Sequence, residues 1–103
     1  MLDKEQARQI ALEVIGHLSK TSGDNLVIME DGIIEKPMAW VFNYNSAEYN
    51  ASRDFRHMVF GITPLMVNRR TGEARQLPPM LQGEALDEYL ASVGAGPDAA
   101  AGN

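Results

Sequence analysis

Pro37-Met38-Ala39-Trp40-Val41-Phe42-Asn43-Tyr44-Asn45 is the stretch that decides how this chain folds. Trp40, Phe42 and Tyr44 alternate with Val41 and Asn43, which is the period-two pattern of a strand. Aromatic and β-branched side chains suit that pleated, half-buried surface. The three aromatic residues therefore read as the core face of a central strand from Met38 to Asn45, not as a stacking platform for a ligand. Pro37 stands at the start of the strand, where its missing N–H costs least.

Before this strand the sequence predicts a helix from Lys4 to Lys20. Asp3 is its N-cap, and Gln6 completes a capping box three residues later. Ala7, Ile10, Ala11, Val14 and Leu18 recur at helical spacing as one apolar stripe, widened by Leu12 and Ile15. The run Thr21-Ser22-Gly23-Asp24-Asn25 is turn chemistry and ends the helix. Leu26 to Met29 then reads as strand, Glu30-Asp31-Gly32 as a turn candidate, and Ile33 to Lys36 as resumed strand. The pieces make either one irregular strand or two short ones.

After the central strand, residues 46–56 read as a long polar loop, a class that often carries function. His57 to Ile62 and Leu65 to Asn68 follow as strand pieces, with Gly61 and Pro64 marking a bend. Arg69-Arg70-Thr71-Gly72 supplies a hairpin turn, and Glu73 to Leu77 returns until Pro78-Pro79 stops it. A short helix over Gly83–Ser92 places Leu86, Tyr89, Leu90 and Val93 on one face, with Gly94 as its C-cap. The small side chains of 94–103 read as a disordered tail. The expected fold is α+β: an N-terminal helix and a short C-terminal helix, together on one face of a curved antiparallel sheet of about four strands. One domain, 1–93, holds all of it.

A chain of 103 residues fits a single domain, and a hydrophobic fraction of 45% supports a packed core. Cysteine is absent, which excludes disulfides and thiolate metal sites and favours a reducing compartment. No stretch approaches the roughly 18–20 apolar residues of a membrane span, and charges at Glu5, Arg8 and Glu13 interrupt any leader-like run. The expected location is cytoplasmic, without membrane association. A net charge of −5 with scattered Lys and Arg argues against nucleic-acid binding. It is compatible with a basic protein partner.

Catalytic motifs are missing. His17 and His57 cannot alone supply the three or four ligands of a metal site. No serine sits in a Gly-x-Ser-x-Gly elbow, and no phosphate-binding glycine loop follows a strand. The adjacent carboxylates Glu30-Asp31 and Asp87-Glu88 read as solvated surface pairs without a pocket to perturb them. The chain is expected to be a binding protein with neither enzyme activity nor cofactor.

From Ile33 to Leu90 the sequence resembles the immunity protein 35 family of bacterial toxin inhibitors. The resemblance runs, in order, through the strand Trp40-x-Phe42-x-Tyr44, then Gly61-Ile62-Thr63-Pro64-Leu65-Met66-Val67. The turn Asn68-Arg69-Arg70-Thr71-Gly72-Glu73 comes next, and the helix segment Leu86-Asp87-Glu88-Tyr89-Leu90 closes it. The matched positions are framework, and the N-terminal helix fits by type alone. The resemblance implies a protein that binds and neutralises a cognate toxin, and it supplies no fixed contact residue. Such an inhibitor needs an exposed, partly acidic patch with aromatic anchors. The candidates are Glu30 and Asp31 in the expected turn, with Glu48, Tyr49, Asp54 and Phe55 in the loop. The alternative is a small self-associating, chaperone-like or stress-related module that pairs through an open strand edge. The expected state is a monomer or a weak homodimer.

Overall fold

The aromatic alternation is realised in strand β2, Ala39–Ser46, in a computed structural model that describes residues 1–96. Helix α1 (Lys4–Ser22) and strand β1 (Leu26–Lys36) precede it. A short helix α2 (Ala47–Ser52) and a 3₁₀ turn (Phe55–His57) follow. Strands β3 (Leu65–Asn68) and β4 (Ala74–Gln76) and helix α3 (Gly83–Ser92) complete the chain. The strands form an antiparallel meander in the order β1-β2-β3-β4. The fold is α+β, with four strands between an N-terminal helix and a short C-terminal one.

Helix α1 begins with the expected capping box. The Asp3 carboxylate accepts from the Gln6 N–H at 2.8 Å, and the Gln6 side chain accepts from the Asp3 N–H at 2.9 Å. It ends at Gly23, whose φ of 81° closes the last turn in the left-handed region that glycine enters freely.

The two helices lie on opposite faces of the sheet, not on one. Trp40, Phe42 and Tyr44 pack with Ile28, Leu65 and Val67 against Ala7, Ala11 and Ile15 of α1. Val41 and Ala39 point the other way and pack with Met66 and Leu77 against Leu86 and Leu90 of α3. The cause is in the sequence: Met38 to Phe42 is apolar at every position, so the strand needs cover on both sides. Trp40 also closes the N-terminal end of the sheet. Its indole N–H donates to the Leu2 carbonyl at 3.3 Å, and the Arg69 guanidinium lies 4.8 Å from its ring centre.

One open alternative is settled and several local expectations change. Strand β1 is one irregular strand, because Ile28 pairs with Tyr44 while Ile33 pairs with Phe42. Met29, Glu30, Asp31 and Gly32 therefore oppose Asn43 alone, and the Asn43 amide donates to the Gly32 carbonyl at 2.7 Å. The Glu30-Asp31-Gly32 turn is thus a bulge inside a strand. His57 to Ile62 forms no strand, since its backbone is claimed by side chains described below and Gly61 turns it with a φ of 86°. The expected loop 46–56 contains α2 and opens the 3₁₀ turn. At the other end, Ala95 is buried against α3 and its N–H donates to the Leu90 carbonyl at 2.7 Å. Residues 94–96 of the expected tail are therefore packed or turned onto α3, and positions 97–103 of it lie outside the described residues.

Phe42 is fully buried at the centre of the α1 face. Phe42→Ala is expected to cost about 3–5 kcal/mol. Urea unfolding followed by Trp40 fluorescence measures this; a loss below about 1 kcal/mol would contradict the packing.

Candidate partner-binding site

The site is the excursion from Ser46 to Phe60, and two buried polar residues at the end of β2 shape it. Asn45 and Ser46 are each 4% exposed. The Asn45 side chain accepts from the Val59 N–H at 2.8 Å and donates to the Val59 carbonyl at 3.1 Å. It thereby stands in for a neighbouring strand. The Ser46 hydroxyl donates to the His57 carbonyl at 2.6 Å and caps α2 by accepting from the Tyr49 N–H at 3.0 Å. The crossing from Ser46 to His57 is thus fastened at both ends to one strand.

Between these fastenings, five of the six expected contact residues fall in one neighbourhood. Tyr49 lies on α2 with its ring centre 6.4 Å from that of Phe55, and the Arg53 guanidinium lies 6.0 Å from the Tyr49 ring centre. Arg53 ends α2 in a left-handed conformation, φ 58°, and reaches Asp31 in the β1 bulge at 2.8 Å. Asp54 caps the 3₁₀ turn through the Arg56 N–H at 2.9 Å and pairs with the Arg56 guanidinium at 2.7 Å. Glu48 is exposed in the first turn of α2. Glu30 is drawn away from this group, because Arg8 of α1 holds its carboxylate.

The patch is consequently of mixed charge. Three of the four candidate carboxylates, Glu30, Asp31 and Asp54, are matched by Arg8, Arg53 and Arg56. Pairs this exposed add little stability. What they supply is orientation of side chains around two open aromatic rings, Phe55 at 70% exposure and Phe60 at 74%. Sequence reasoning missed Phe60 because it placed 57–62 in a strand. The Gly61-x-x-Pro64 punctuation immediately after it was the available signal for a loop position.

Two hollows flank other parts of the molecule. A groove of about 470 Å³ lies on the α3 face, lined among others by Ile34, Val41, Pro64, Leu77, Met80 and Leu86. A smaller one of about 170 Å³ lies beside Leu18, Tyr44, Val59 and Gln76. None of the six candidate residues lines either. Among the described residues, no three His, Asp or Glu side chains converge to hold a metal ion, and no helix is long and apolar enough to cross a membrane.

Asn45→Ala is expected to leave the Val59 N–H and carbonyl unpaired and to cost about 1–3 kcal/mol. Hydrogen exchange should accelerate first at Val59 and Ser46, whose N–H groups the Asn45 side chain accepts from; unchanged protection there would refute the fastening. A second expectation concerns acid. The Arg53 hydrogen bond lowers the Asp31 pKa, and the Arg56 side chain and N–H lower that of Asp54. A lowered folded-state pKa stabilises at pH above the unfolded value of about 3.9 and stops doing so as the pH falls through the folded one. The two ion pairs should therefore stay intact above about pH 5 and open only below about pH 4, with little change in the stability of the fold. NMR titration of both carboxyl carbons checks this, and a midpoint above the ordinary aspartate value would exclude the ion pairs. Compared with known proteins, the chain matches no protein-family model, no curated protein and no solved structure.

Proposed function

We propose that this chain is an immunity protein that neutralises a cognate bacterial toxin by binding it, as its resemblance to the immunity protein 35 family implies. One observation carries the reading. A loop pinned by buried side chains presents Phe55 to solvent beside a half-buried Tyr49, with Arg53 and Arg56 around them and the exposed Phe60 just past the second pin. Aromatic residues and arginine are the side chains that dominate binding energy at protein interfaces. A pinned loop has already met much of the ordering cost that association would otherwise impose. Binding, without catalysis or cofactor, is the activity of this surface. The lack of cysteine suits a cytoplasmic site of action, and the net charge of −5 suits a protein partner over a nucleic acid.

The test is co-expression with the effector domain encoded beside this chain's gene. Cells should be rescued from growth arrest, and the two proteins should purify as a stoichiometric complex. Absence of both rescue and complex would overturn the function. Tyr49→Ala and Phe55→Ala should each weaken the complex by roughly 30-fold or more while leaving the fold's melting temperature nearly unchanged. If the double variant bound as tightly as the parent, the toxin would contact another surface.

A further inference from the structure

Strand β1 ends the sheet and is hydrogen-bonded to β2 alone. The two-residue turn Pro37-Met38 makes Lys36 and Ala39 the closing pair of the hairpin, so Lys36 and Ile34 aim their backbone groups at β2. Ile33 and Glu35 then aim theirs outward. Among the described residues, neither has a backbone partner outside the sheet ladder. Four polar groups in a row are thus open to another strand. Beside them Ile34 is 38% exposed, an apolar side chain at the mouth of the groove on the α3 face.

We propose that the occupant of this edge is a second copy of the chain, paired antiparallel about a two-fold axis at Ile34. The proposal is independent of the toxin reading. A two-fold axis perpendicular to the sheet keeps each face on its own side, so only a few registers are available. An axis at Glu35 would set two Glu35 carboxylates against each other and bring Pro37, which has no N–H, opposite Ile33. An axis at Ile33 would set Asp31 opposite Glu35 and run into the bulge. An axis at Ile34 has neither fault. Ile33 of each copy meets Glu35 of the other and all the outward N–H and C=O groups pair. Lys36 meets Gly32, and the two Ile34 side chains meet on the axis.

This register joins two four-stranded sheets into one of eight strands and brings two apolar grooves side by side. The bulge at Met29–Gly32, with the Asp31–Arg53 pair beside it, stops the pairing from lengthening. The contact is short, so the dimer dissociates on dilution.

Because the chain has no cysteine, a single introduced one reports the register. Directly opposed residues of a non-hydrogen-bonded antiparallel pair have Cα atoms about 4.5 Å apart, within disulfide range. Ile34→Cys is expected to oxidise to a covalent dimer. Lys36→Cys should not, because its two copies stand about 13 Å apart along the strands. Sedimentation of the unmodified chain should show mass rising from monomer to dimer with concentration, and Ile34→Glu should shift the midpoint at least tenfold upward. A monomer at all concentrations up to roughly 1 mM, or equal cross-linking at Ile34 and Lys36, would overturn the proposal. So would an edge that pairs only with a strand of another protein.

Discussion

Strand β2 is the constraint on which everything else depends, because it is buried from both sides. Its even-numbered residues face α1 and its odd-numbered residues face α3, and only Asn43 among its eight positions is less than buried. A strand in that position cannot slip by one residue without exchanging Trp40 for Val41 between two cores of different shape. The α1 side receives the large rings and answers with Ala7 and Ala11, whose small side chains bring the helix close. The α3 side receives Ala39 and Val41 and answers with Leu86 and Leu90. Register, helix placement and sheet order follow from this one complementarity.

The same strand changes character at its C-terminal end, and the candidate site is built there. Asn43, Asn45 and Ser46 replace the apolar run, and each is committed to backbone. Asn43 closes the bulge in β1, Asn45 substitutes for a missing strand at Val59, and Ser46 starts α2. Burying Asn45 and Ser46 is tolerable only because each is hydrogen-bonded. Rigidity at the site is therefore inherited from the core and does not arise from the exposed ion pairs, which are too solvated to supply it.

Periodicity made the regular parts legible. The capping box at Asp3, the stripe Ala7-Ala11, the aromatic alternation and the helix from Gly83 to Ser92 are all local patterns, and they appear where the residues place them. What stayed hidden is what depends on partners distant in sequence. A two-sided apolar strand asks for two covering layers, but periodicity alone does not say that α3 crosses to the far face. Val59 lies in an apolar-flanked run that resembles a strand, but the Asn45 side chain 14 residues away takes up its backbone groups. The six candidate contact residues are four carboxylates and two aromatic anchors. The exposure of Glu48 and Phe55 is readable from a polar loop, but the half-burial of Tyr49 and Asp54 and the matching of Glu30 by Arg8, across 22 residues, are not.

The bulge in β1 ties these themes together. It arises because Met29, Glu30, Asp31 and Gly32 must pass a single β2 residue, so the chain swings outward and cannot continue the ladder. On one side of it, Asp31 meets Arg53 and joins the sheet to the aromatic excursion. On the other, Ile33 to Glu35 resumes a straight strand with a free edge. A regular β1 would present a longer open edge and would leave Arg53 without its carboxylate. One irregularity therefore separates the aromatic excursion from the open backbone edge of Ile33 to Glu35.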